Sequence, residues 1–341
     1  MFYVADVEGA GPPADGEIHV DLEEADFLAV FPLKARGRRR LVGLVSRASD
    51  VQVAELTFKD LSRRAIESLK LTIAQVNWFS TYRVHHRVAT RFREGRVFLL
   101  GDAAHIHSPV GGQGMNTGIG DSVNLAWKLA SVLHGEADAS LLDTYELERI
   151  GFARLLVATT DRVFTLVTKQ DRVARWMRSF LSLIARWAYR PAPVRRWLFR
   201  VLSQTGVNYR DSPLSVGSAG QVQAGDRLPW LETNTGEDNF IPLTSLAWQV
   251  HVYGEMRRGL AESCAELQLP LHQFPWEANM HRAGLLAGAL YLVRPDGHVA
   301  LADPLADPDR LRHYLSAVGM TAGAGESVSC PATTRRRRSI F

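Results

Sequence analysis

Two cysteines in 341 residues, Cys264 and Cys330, are too few and too far apart in sequence for a disulfide scaffold or a zinc site. Long apolar runs are also missing. None approaches the roughly 20 residues that span a bilayer, and the opening MFYVADVEGAG has neither the basic start nor the apolar core of a secretory signal. The location expected from these absences is cytoplasmic, with no transmembrane segment. No C-x-x-C occurs, so thiol redox chemistry has no motif, and no Gly-Lys-Ser/Thr follows a glycine cluster, which excludes a P-loop. A G-x-G-x-x-G turn between strand and helix is absent as well. Gly9-Ala-Gly11-Pro-Pro-Ala14 comes nearest, but Pro12, Pro13 and the strand-like stretch 17–31 mark it as a hairpin connection. His85, His86, His105 and His107 have no cysteine or carboxylate partner at ligand spacing, so no metal site is expected. Neither sign of charge dominates, with 40 basic against 36 acidic side chains, and 46% hydrophobic residues suit a globular chain of roughly two domains at about 150 residues each.

What is present is concentrated in residues 97–130, VFLLGDAAHIHSPVGGQGMNTGIGDSVNLAWKLA. Residues 97–100 form a short apolar run expected to be a buried strand. It stops at Gly101 and Asp102, where a carboxylate would emerge at a strand's carboxyl end, the place where open α/β sheets bind ligands. Pro109, Gly111, Gly112 and Gly114 interrupt regular structure. Ile119, Val123, Ala126, Ala130 and Leu133 then recur at helical spacing, which predicts a helix starting near Asn116 or Thr117. The unpaired N–H groups of that helix would favour a partly negative ligand atom.

The run GDAAHIHSP followed by GGQGMN resembles the second FAD fingerprint of the flavoprotein aromatic hydroxylases, the monooxygenases that include phenol and para-hydroxybenzoate hydroxylases. The resemblance implies that FAD, reduced by NAD(P)H, uses oxygen to hydroxylate a small aromatic substrate, phenol-like or polyketide. It implies that Asp102, beside Gly101, hydrogen-bonds the ribityl hydroxyls and that Pro109 lies against the isoalloxazine. The backbone from Gly112 to Asn116, with Gly114 and Met115, would meet the pyrimidine edge, and Gly111 is implied among the cofactor-binding residues. Arg87, in the approach RVHHR, is the residue implied to lie near the nicotinamide or the flavin. No acid–base pair or catalytic triad is needed, because the cofactor carries the chemistry. FYVADVEG resembles the family segment that follows a Rossmann half, so the chain reads as N-terminally truncated, without the pieces that hold ADP. A catalytically silent fragment acting only in association is the competing reading.

The fold class that follows is α/β: an incomplete FAD-binding domain with an α+β substrate-domain sheet, connecting helices, and a C-terminal thioredoxin-like domain. Residues 1–93 are assigned to the substrate sheet, with strands at 2–7, 27–33 and 40–46, a helix over 58–75 carrying Leu61, Ala65, Leu69 and Ile73, and a returning strand at 78–83. Residues 94–205 complete the FAD-binding part, where LLDTYELER resembles the family's closing helix and Asp143 is placed to cap it. Over 161–203, arginines 172, 175, 178, 186, 190, 195, 196 and 200 interleave with Trp176, Trp187 and Trp197. Such interleaving can mark nucleic acid or an anionic membrane, but packing of these helices onto the body of the protein, with arginine stems covering the edges, is preferred and no nucleic-acid partner is expected.

Residues 206–225 read as a linker. Residues 226–320 read as strand 248–253, helix 255–267, strand 271–274, a hairpin of 289–293 and 298–301 turned by Arg294-Pro-Asp-Gly297, and helix 308–318. That order resembles the thioredoxin-like domain of the phenol hydroxylase and 3-(3-hydroxyphenyl)propionate hydroxylase branch. There it serves structure and assembly, and a homodimer is one assembly it would permit. Residues 321–341, with arginines 335–338, read as a disordered basic tail.

Overall fold

The computed structural model describes residues 1–11, 19–21, 27–34, 37–44, 57–60, 66–67, 69–107, 112–168, 190–234, 236 and 238–320. The fold is mixed α/β, and the chain divides into two compact units. One comprises Met1–Ala89, Asp102–Gly114 and Ala153–Leu202, the other Thr90–Gly101, Met115–Phe152 and Ser203–Phe341.

In the first unit, β1 (Phe2–Ala10), β2 (His19–Asp21), β3 (Leu28–Pro32), β4 (Arg38–Leu44) and β5 (Thr72–Tyr82) form an antiparallel sheet in the order β2-β3-β4-β1-β5. Period-two alternation builds it. Tyr3, Ala5 and Val7 face a core with Leu28, Val30, Leu41 and Leu71. On alternate positions Phe2 stacks on Tyr82, Asp6 takes a bidentate bond from Arg40, and Glu8 pairs with Arg38. Gly9 lies within β1. A Cβ there would sit 2.0 Å from the Thr72 carbonyl oxygen, and Arg39 donates to the Gly9 and Gly11 carbonyls. The glycine pair therefore serves a close approach of β1 to β5, and the hairpin reading is corrected: β1 and β2 are not neighbours in the sheet, while Pro12, Pro13 and Ala14 lie outside the described residues. The helix expected over 58–75 is shortened at both ends: Phe58–Asp60 is a 3-10 turn, residues 66–67 are helical, and Thr72 already opens β5. β-branched Thr72 and Ile73 pair with Ala10 and Gly9, so sheet pairing overrides the helical spacing of Leu69 and Ile73; Leu61 and Ala65 lie outside the described residues. β6 (Arg87–Val88) pairs with β9 (His105–Ile106) in the same unit.

The second unit opens with the hairpin β7 (Arg93–Glu94) and β8 (Val97–Phe98), followed further along by α1 (Gly114–Leu133) from Met115 and by α2 (Asp143–Thr168) as far as Phe152, the rest of α2 belonging to the first unit. Residues 97–100 are thus no buried strand of a large sheet. Val97 is 64% exposed: Gly95 (φ +57) turns the chain tightly, and among the described residues β8 pairs with β7 alone. After α3 (Ala192–Leu202), which belongs to the first unit, come β10 (Val216–Ala219), β11 (Val222–Gln223), β12 (Gln249–Tyr253), α4 (Leu260–Glu266), β13 (Leu271–Phe274), α5 (Ala278–Arg282), β14 (Leu290–Val293), β15 (Val299–Asp303) and α6 (Pro308–Ala317). The sheet order is β11-β10-β15-β14-β12-β13, with β12 parallel to β13 and antiparallel to β14. Val250, Val252, Leu290 and Leu292 pack with Leu260 and Leu311 in one cluster. Tyr253, Tyr291 and Val293 pack with Met280 and Leu285 in another. Apolar side chains on both faces explain why these strands read as continuous apolar runs.

Residues 206–225, expected as a linker, are built into this unit: β10 joins β15, and Tyr209 and Leu214 are buried. The helix expected from 255 begins only at Leu260, since Gly254 and Gly259, both at positive φ, hold the intervening turn. Among the described residues no helix is long and apolar enough to cross a membrane.

Candidate functional site

The fingerprint is laid over a turn and a helix start. Gly101–Ala103 form a 3-10 turn that leaves Asp102 exposed, and α1 starts at Gly114, two to three residues before the expected position. Its first turn carries no acidic side chain, and Met115 and Asn116 are exposed. Pro109 and Gly111 lie outside the described residues. Gly112 has φ +63, a conformation that disfavours other L residues, with no atom within 4 Å of where a Cβ would stand. In the first unit, pairing of β6 with β9 sets Arg87 opposite Ile106, and Ala89 N donates to Ala104 O at 2.8 Å, so the structure brings Arg87 close in register to the residues that follow Asp102. Arg87 itself is exposed. These features fit a flavin: an open carboxylate for hydroxyl groups, a turn with room beside its glycine, and a helix start without acidic side chains for partial negative charge.

In the second unit the support of Gly101 comes from residues that the sequence reading passed over. The apolar stripe that marked α1 in the sequence is its outer face. Ile119, Val123 and Leu133 are exposed, Leu133 by 81%, while Thr117, Asp121, Asn124, Lys128 and Ser131 are buried. The polar set recurs at intervals of four and three residues, a stripe as regular as the apolar one, and this was the available signal. It is the buried face because its partners are ionic. Asp121 accepts from Gly101 N at 3.0 Å and from Arg149 Nε at 2.6 Å. Arg149 also donates to Tyr209 Oη and to the Thr117 carbonyl. At Gly118 a Cβ would approach the Gly101 Cα to 3.3 Å, so the helix lies against the turn where only glycine fits closely.

The start of α2 grips the β7–β8 hairpin leading into Gly101. Glu146 accepts from the Phe92 and Arg93 amides, Tyr145 Oη donates to Leu99 O at 2.7 Å, and Arg93 pairs with Asp143 at 2.6 Å. Asp143 is therefore no N-cap. It sits in αR conformation at the end of a 3-10 turn, and its carboxylate is held by Arg93.

Two residues along, Glu148 is surrounded by five donors: Arg294 Nη1 and Ser212 Oγ on one oxygen, and Arg294 Nη2, Lys128 Nζ and Asn124 Nδ2 on the other. Arg294 also grips Asp296, to which Trp127 Nε1 donates at 3.0 Å. Arg294, in a turn whose sequence suggests a solvated hairpin tip, is wholly buried. Desolvation alone would raise the Glu148 carboxyl, but Arg294 and Lys128 outweigh it and hold it at about 2. Burial draws Lys128 down to about 8.

The sign of the acid effect follows. Glu148 is depressed in the folded chain, so its stabilisation is complete above its ordinary value of 4.5 and is lost as pH falls toward 2. The total is about 3 kcal/mol, of which about 2 kcal/mol is gone by pH 3. Denaturant unfolding of the parent chain and of Glu148→Gln at pH 5 and pH 3 measures it. The parent loses stability more steeply, and equal slopes refute the assignment.

Comparison with known proteins agrees with this picture. A family model described as an FAD binding domain matches residues 3–160. The chain is 30% identical over 344 residues to 6-methylpretetramide 4-monooxygenase of Streptomyces rimosus, covering 92% of this chain and 61% of that protein. It is 38% identical over 224 residues to pentachlorophenol 4-monooxygenase of Sphingobium chlorophenolicum, covering 63% of this chain and 39% of the relative. Among solved structures it resembles CabE, an aromatic hydroxylase from angucycline biosynthesis, with TM-score 0.69 and 26% identity over 94% of this chain and 64% of that one. The chain thus spans 61% of the first relative's length.

Proposed function

We propose that this chain, which belongs to the FAD-dependent aromatic hydroxylases, holds the flavin end of FAD on residues 101–116. With NAD(P)H and oxygen as co-substrates, it would serve the hydroxylation of a phenol-like or polyketide aromatic ring. The observation that carries the reading is the exposed Asp102 turn followed by an α1 start with no acidic cap, within the segment matched as an FAD binding domain. When bound, FAD supplies the oxygen chemistry. Asp102 accepts hydrogen bonds from the ribityl hydroxyls, while the first-turn N–H groups at Met115 and Asn116 offset negative charge on the pyrimidine edge. Gly101, Gly112 and Gly114 let the backbone come near, Arg87 serves the nicotinamide or flavin, and Pro109 and Gly111, outside the described residues, are assigned to the cofactor by the resemblance alone. Asp121 and Arg149 act behind these groups by fixing Gly101.

For the six-stranded unit the βαβ and ββα order, with β15-β14-β12-β13 as its centre, supports a thioredoxin-like fold. Cys264 is buried in α4 and its thiol is pushed up to about 11 by burial, which suits a structural role, with homodimer assembly as the proposed use. A silent association module is the weaker reading, because no observation favours it over the flavin site.

Titration of the chain with FAD, followed by flavin fluorescence, tests the site. Asp102→Ala weakens binding by about 10- to 100-fold, as expected for a lost hydrogen bond worth about 1–3 kcal/mol. Unchanged affinity would remove Asp102 from the site.

A further inference from the structure

Among the described residues nothing covers the apolar side of helix α3. None of its residues is buried, and Trp197 is 64% exposed. The expectation that tryptophan packs these helices onto the body is therefore corrected for α3; Trp176, Trp187 and the arginines of 172–186 lie outside the described residues. At 100° per residue Val194, Trp197, Leu198, Val201 and Leu202 fall in one arc, while Arg195, Arg196 and Arg200 fall in the opposite one together with Phe199, which is 66% exposed. None of these three guanidinium groups pairs with a carboxylate among the described residues. The sequence explains why: from residue 172 to 210 there are nine arginines and no aspartate or glutamate. The carboxyl end of the helix is anchored in its own unit by Gln113 Nε2, which donates to Val201 O at 3.0 Å.

We propose that α3 docks on an anionic lipid surface, lying in the interface with its Trp197 arc toward the acyl chains and its arginines among the headgroups. A bilayer of this kind offers both things the helix lacks, an apolar medium and fixed negative charge. A second copy of the chain offers only the first, and pairing two such helices would bring two unpaired arginine sets together. The proposal is independent of the flavin reading, since its test needs no cofactor.

The full chain is sedimented with phosphatidylcholine vesicles and with vesicles containing about one-third phosphatidylserine. Binding to the anionic vesicles alone is expected, together with a blue shift of tryptophan emission that is lost in Trp197→Ser. At roughly fivefold per arginine near the surface, R195Q/R196Q/R200Q lowers partitioning about a hundredfold, and about 0.5 M salt releases the unaltered chain by screening. Equal binding to both vesicle types, or undiminished binding of the triple variant in low salt, overturns the proposal. So does failure to bind either vesicle with a dimer that Trp197→Ser dissociates, which would identify a second copy as the occupant.

Discussion

Arg294→Met destabilises the protein by about 3–5 kcal/mol. The side chain keeps much of its volume, but Glu148 loses its bidentate partner and Asp296 loses its main cation in a place where water does not reach. Removing one member of a buried ion pair leaves the other charge desolvated and uncompensated, which is why the loss exceeds that of an exposed pair, about 0–1 kcal/mol. Against a total stability of about 5–15 kcal/mol such a loss is a large fraction of the whole. Arg294→Lys recovers only part of it, since an ammonium cannot span both oxygens of Glu148. Denaturant unfolding at pH 7 measures the change, and a loss below about 1 kcal/mol in Arg294→Met would show that the cluster contributes little.

Asp121→Ala has a comparable effect, about 3–5 kcal/mol, by the same route at a different place. Arg149 would remain buried with only Tyr209 Oη and the Thr117 carbonyl as acceptors, and the Gly101 amide would lose its carboxylate. The double variant Asp121→Ala/Arg149→Met is expected to be more stable than the sum of the single losses predicts, by about 1–3 kcal/mol, because the stranded charge is gone. Additive losses would mean that the two residues do not act as a pair. Hydrogen exchange at Gly101 gives a second reading, since its amide exchanges faster in Asp121→Ala than in the parent.

The sequence was most legible where short runs are covered on both faces. β12 and β14, buried throughout, start within one residue of the boundaries read from the sequence and end on them, and the turn at Arg294-Pro-Asp-Gly297 joins β14 to β15 as expected, because Gly297 supplies a positive φ. The fingerprint was legible for a different reason, its density of glycine beside Asp102. The misreadings share one cause, which is that spacing alone does not say which side of an element is inside. In α1 two stripes compete, Ile119-Val123-Ala126-Leu133 and Thr117-Asp121-Asn124-Lys128-Ser131, and hydrophobicity selects the wrong one. What decides the matter is Arg149, Glu148 and Arg294, the last lying 146 residues from Glu148, and no local pattern announces a partner at that distance. Leu69 and Ile73 misled similarly, since strand pairing with β1 takes the segment from Thr72 onward.

That separation also governs the order of events when the chain is made. At a synthesis rate of about 5–20 residues per second, Arg294 follows Glu148 by roughly 7 to 30 s. During that interval α1 and α2 can form their own turns, and Lys128 can already meet Glu148, but the carboxylate cannot yet be enclosed. The waiting surface carries Asp121, Asn124, Lys128 and Glu148, which water solvates well, whereas an apolar face of the same size would invite premature association. Closing so long a loop is slow, and loops of this kind weigh on folding rate more than on final stability. A polar interior at this junction thus gives the nascent chain time, keeping its half-finished middle soluble until the last strands arrive.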